Sequence, residues 1–136
     1  MRFRLVLLLG MLACGGSDNT DVNPPPVPPP PPPPPGPPPP PSPAVTVRVQ
    51  NNLFSPSEAR VTVGGTVTWE WEGSGHNVLS AFTPSFPSSN PLSNSGFTYG
   101  PVTFSTAGTY LYYCSAHGAA SGGSVSGMSG RVVVGN

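Results

Sequence analysis

The 136-residue chain carries five basic and five acidic residues, no lysine, and a charged fraction of only 7%, so its formal net charge is zero. That balance excludes a basic stripe for nucleic acid and a strongly acidic docking face. Most of its 22 prolines fall between Pro24 and Pro43, which leaves Ala44 to Asn136 as one foldable unit, able to bury roughly 60% of the surface its unfolded chain exposes.

At the amino terminus, Arg2 and Arg4 precede an apolar run from Leu5 to Ala13 that is too short to span a bilayer. Residues 1–13 therefore read as an export signal. The run ends in Met11-Leu12-Ala13-Cys14, which resembles a bacterial lipoprotein cleavage box. The resemblance implies a lipid on Cys14 and a membrane anchor at the cell envelope, facing the periplasm or the cell surface. Gly15 stands where an aspartate would resemble an inner-membrane retention signal, so the outer membrane is expected. With Cys14 lipidated, Cys114 is the only free thiol of the domain and has no disulfide partner in cis. An unpaired thiol in an oxidising compartment needs an occupant, and a metal is the natural one.

Residues 14–43 form a linker, polar up to Asn23 and then almost all proline, broken by Val27, Gly36 and Ser42. The proline stretch, 24–43, forms polyproline II and acts as a semi-rigid spacer, roughly 60 Å long at about 3.1 Å per residue. Strand alternation begins in the third segment, 44–136. Val45, Val47 and Val49 alternate with Thr46, Arg48 and Gln50. Val61 and Val63 repeat the pattern, Gly64-Gly65 supplies a tight turn, and Val67, Trp69 and Trp71 continue it opposite Thr68 and Glu70. Residues 79–101 are rich in Ser, Pro and Asn and read mainly as a loop of unassigned role. Regular patterning returns at Val102 to Ser105, Thr109 to Cys114 and Arg131 to Val134. With no convincing helix and no internal repeat, the fold class is an all-β sandwich of about seven or eight short strands, with no sign of oligomerisation.

Within the domain there are two histidines, one cysteine and one methionine. His76 follows a Gly-rich turn, Cys114-Ser-Ala-His117 leaves the end of a strand, and Met128 lies between Gly127 and Ser129. Two imidazoles, a thiolate and a thioether make a soft, mixed nitrogen and sulfur donor set. Singly, each histidine reads as a surface residue and the cysteine as a small buried apolar group. Together, at these spacings, they read as a metal site.

The segments Phe54-Ser-Pro56, Val61 to Trp69, Gly75-His-Asn-Val78, Gly108 to His117 and Gly127 to Val134 resemble those of cupredoxins of the plastocyanin and azurin type, in the same order. The resemblance implies a cupredoxin-like Greek-key sandwich with one copper ion held by His76, Cys114, His117 and, axially, Met128. Trigonal ligation with a weak axial thioether suits both oxidation states of copper. The resemblance also implies that Asn77 orients a backbone donor towards the Cys114 sulfur, tuning potential, and that the Gly75 carbonyl is the alternative axial group. Residues 118–127 form a longer Gly/Ser/Ala loop than cupredoxins usually place before the methionine, yet each doubling of loop length costs only about 0.6 kcal/mol. Alternation puts Tyr110, Tyr112 and Cys114 on one face of their strand and Leu111 with Tyr113 on the other. Tyr113 then resembles the surface tyrosine that serves plastocyanins as an electron port; an ordinary strand tyrosine is the other reading.

These features point to single-electron transfer between redox partner proteins, with His117 facing the partner. Two histidines are too few for a multicopper catalytic centre, so an enzyme is not expected. Copper delivery or sequestration would favour Met-rich or His-rich exposed motifs, which the sequence lacks. A metal-free structural sandwich would not need the intact donor set.

Overall fold

The computed structural model of the chain describes residues 28–136. The expected export signal and Cys14 lie outside the described residues. The chain divides after Pro35, and Gly36–Asn136 is one compact unit. Before the division, residues 28–35 are exposed proline in neither helix nor strand. The compact unit holds seven strands: β1 (Ser42–Gln50), β2 (Leu53–Ser55), β3 (Glu58–Trp71), β4 (Leu79–Ala81), β5 (Thr98–Phe104), β6 (Gly108–Ser121) and β7 (Ser124–Val134). No helix occurs among the described residues.

Strand order is β2-β1-β3-β7-β6-β4, with β5 on β3. The long β3 belongs to two layers. Its first half, Glu58 to Val61, lies parallel to Arg131–Val134 of β7. Its second half, Thr66 to Trp71, lies parallel to β1 and antiparallel to β5. The chain doubles back between the halves at Gly64-Gly65, as the glycine pair predicts. Gly64 has φ of 82°, and a Cβ added to Gly65 would stand 3.1 Å from the Val61 Cβ. Only glycines allow that conformation and approach together. Val63 departs from the expected alternation: it is 45% exposed, because it sits at the turn where the strand leaves the core.

Alternation in β1 and the second half of β3 buries Val47, Val49, Val67 and Trp69. From the other layer come Val61, Tyr110, Tyr112 and Val132. Aromatic rings fill the space between: Trp69 stacks on Phe86 at 5.5 Å and meets Tyr112 edge-on at 5.6 Å, and Phe54 meets Tyr112 at 4.9 Å. Offset and edge-on pairs of this kind are worth about 0.5–1.5 kcal/mol each beyond the area they bury.

Two segments are more ordered than the sequence suggests. The 79–101 stretch contributes β4, the start of β5 and the buried Phe86. Residues 118–127 are not a loose loop: β6 and β7 run on as a hairpin, pairing Gly118 with Gly127 through Ser121 with Ser124. Its tip, Gly122-Gly123, has φ of 58° and 83°, the two positive values that a tight primed turn requires.

Candidate metal centre

The hairpin shapes the site. Tyr113 faces Ser129 and Gly118 faces Gly127, with a register shift between them. The four residues Cys114 to His117 therefore bow out opposite the single residue Met128. Cys114 is fully buried at the root of this bow, Met128 is 2% exposed, and His117 at the far end is exposed. His76 arrives from the turn after β3, where Gly75 takes φ of 75°, and is 2% exposed.

The donor atoms converge. His76 Nδ1 lies 3.1 Å from His117 Nδ1, and Cys114 Sγ lies 3.8 Å and 3.6 Å from those two nitrogens. A first-row metal with bonds of about 2.0 to 2.3 Å sets its donors about 3.1 to 3.8 Å apart at angles between about 100° and 120°, so the three residues fit one ion. Burial first, and the neighbouring His117 second, hold the His76 pKa below the ordinary imidazole value. The ring is therefore neutral near pH 7, the form a metal needs. Two donors are shielded and one is at the surface.

Asn77 is 3% exposed and clasps the residue after the cysteine: its Oδ1 accepts the Ser115 backbone N–H at 2.9 Å, and its Nδ2 donates to Ser115 Oγ at 3.0 Å. The side chain thus acts on Cys114 through Ser115. Sequence reading missed Ser115, and also Ser89, which is 3% exposed; its Oγ accepts the Val78 N–H at 2.9 Å, while its own N–H reaches the Val78 carbonyl at 2.9 Å. A serine in a Ser-rich stretch gives no signal of such a role. Tyr113 lies opposite Leu79 of β4, half-buried on the outer face. Gly75 points its N–H at the Ser93 carbonyl and at Asn94 Oδ1, at 3.0 Å and 3.1 Å.

A two-layer β-sandwich carrying one soft-donor metal site at its edge defines a mononuclear metal-binding class. Residues 43–135 match the family described as copper binding proteins, plastocyanin/azurin family. A halocyanin from Natronomonas pharaonis is 43% identical over 84 residues, 60% of this chain and 47% of its own length, so the match spans about half of that relative. A plastocyanin from Scenedesmus fuscus is 33% identical over 90 residues, covering 60% of this chain and 86% of its own. A solved amicyanin variant in the reduced Cu(I) form superposes with a TM-score of 0.51 at 31% identity, over 67% of this chain and 81% of its own. The chain belongs to the plastocyanin/azurin family of copper-binding proteins. Its cofactor is copper, and the cluster of His76, Cys114 and His117 fits a type 1 site.

Proposed function

We propose that this protein is a one-electron carrier at the cell envelope, holding one blue copper through His76, Cys114 and His117 with Met128 as the axial group. The observation that carries the reading is the asymmetry of the donors: three converge within hydrogen-bonding range, two of them buried and His117 alone exposed. Copper in such a set changes oxidation state with little rearrangement, and so passes single electrons rapidly.

Cys114 and His76 hold the centre inside the sandwich, away from water and exchange. His117 gives it one contact with the surface, where a redox partner docks. The Asn77 clasp keeps the Cys114–Ser115 backbone fixed. Met128 supports the axial role by being buried opposite the bow that carries Cys114 and His117. Tyr113, on the outer face beside the cysteine, serves as a second route for the electron. Export by residues 1–13, a lipid on Cys14 and the 14–43 linker place the monomeric carrier on a membrane, and it works for its partners without catalysing a reaction itself.

The test adds Cu(II) to the full chain and to its Cys114→Ser variant. An intense thiolate-to-copper absorption band is expected in the first and absent in the second. A reversible potential with slow metal loss to a chelator supports the carrier; rapid loss supports copper delivery instead. Met128→Leu should shift the potential and keep the band, and an unshifted potential refutes the axial assignment.

A further inference from the structure

We infer that Trp71 is a positioning residue for the copper ligand His76, acting through the ligand's carbonyl together with Ser93, and that the stretch from Ser93 to Phe97 exists to hold that arrangement. The inference rests on His76 being a copper ligand. His76 sits in irregular chain between β3 and β4, where only a single isolated bridge, to Ser93, stands in for a sheet ladder. Unaided, such a segment would let the imidazole swing.

What fixes it is the backbone. The His76 carbonyl accepts two hydrogen bonds, from the Trp71 indole N–H at 2.9 Å and from the Ser93 N–H at 2.8 Å. The His76 N–H donates back to the Ser93 carbonyl at 3.2 Å. Trp71 is itself anchored to the same stretch. Its N–H reaches the Phe97 carbonyl and its carbonyl accepts from Gly96, both at 2.9 Å, while its ring meets Phe97 edge-on at 5.0 Å. A closed circuit results: Trp71 to Gly96 and Phe97, along the chain to Ser93, across to His76, and back through the indole.

Trp71 is 3% exposed, so its N–H has no water to turn to, and a buried donor with one acceptor is a strongly directional link. Neither Trp71 nor Ser93 is among the converging donors. Their effect is to fix where His76 Nδ1 points relative to Cys114 and His117 before any ion arrives. Partners outside the ligand set that orient the ligands typically change metal affinity about 10- to 100-fold when removed.

The experiment compares Trp71→Phe with Trp69→Phe in the full chain. Both remove an indole from the buried core, but the Trp69 ring lies against Tyr112 and Phe86 and makes no bond to His76, whereas the Trp71 N–H holds the His76 carbonyl. In metal-free protein, amide exchange at Ser93 should quicken about tenfold or more in Trp71→Phe and stay close to wild type in Trp69→Phe. In copper-loaded protein, Cu(II) affinity should fall about 10- to 100-fold and the charge-transfer band should move or broaden in Trp71→Phe alone. Phe97→Leu, which keeps the indole N–H, should leave the band in place. Equal effects in the two tryptophan variants, or unchanged Ser93 exchange in Trp71→Phe, would overturn the inference. Because exchange is read without metal, the positioning role is decided even if the wild-type chain shows no blue band, the result that would sink the carrier reading instead.

Discussion

Replacing Gly127 with alanine should destabilise the domain more than the same replacement at Gly123, because only one of the two sites adds a collision to backbone strain. Both glycines lie in the left-handed region, with φ of 67° and 83°, where a side chain costs roughly 1–2 kcal/mol. At Gly123 an added Cβ meets nothing within 4 Å. At Gly127 it would run into the His117 carbonyl oxygen, with the Gly118 Cα at 3.0 Å and the His117 carbonyl carbon at 3.3 Å. These are backbone atoms at the base of a paired hairpin, so no flexible side chain can yield, and overpacking adds about 1–3 kcal/mol. The total at Gly127 is then about 2–5 kcal/mol against about 1–2 kcal/mol at Gly123. In thermal unfolding of the metal-free protein, 1 kcal/mol is worth about 4–8 °C for a domain of this size. Gly127→Ala should therefore melt at least about 4–8 °C below Gly123→Ala. The contact falls on the main chain of His117, so Gly127→Ala should disturb the copper absorption and Gly123→Ala should not. Identical melting temperatures would refute the reasoning, since they would show that the close approach at the hairpin base contributes nothing.

Asn77→Ala should cost about 1–3 kcal/mol in urea unfolding, because it removes a buried clasp that satisfies the Ser115 N–H; a loss near zero would show that the clasp is dispensable. The pH profile of the metal-free protein follows from His76. Its folded pKa lies below the ordinary value of 6.5, so below that value the unfolded chain binds more protons than the folded one. Stability is full above about pH 6.5 and declines as pH falls beneath it. Melting temperatures measured from pH 8 down to pH 5 should drop in the wild type and drop less in His76→Asn; parallel profiles would contradict the assignment.

The donors were legible because chemistry requires particular residue types, and His76, Cys114 and His117 have few substitutes. The strands were legible where apolar residues alternate, as in Val45 to Val49 and Val67 to Trp71. The hairpin from Gly118 to Gly127 was not, because Ala, Ser and Gly on a projecting ribbon carry no alternation, whichever face they present. Antiparallel pairing of Gly118 with Gly127 brings the two ends of the ribbon together whatever its length and sets Met128 opposite the bow from Cys114 to His117. The role of residues 79–101 was hidden for a different reason. Ser93 and Gly96 act through their main-chain groups, which every residue other than proline possesses, and Phe86 reveals its place only once Trp69 is known to lie against it.

The direction of the first strand fixes where the preceding chain joins the domain. It enters at Ser42, beside Val61 and the Gly64-Gly65 reversal, and finishes at Gln50, whose amide bonds Glu72 on the approach to His76. The nine residues of the strand, at about 3.3 Å per step, separate those ends by roughly 26 Å. The chain before Ser42 therefore joins the sandwich at the pole remote from His117, as a handle is fixed to the end of a tool opposite its working tip.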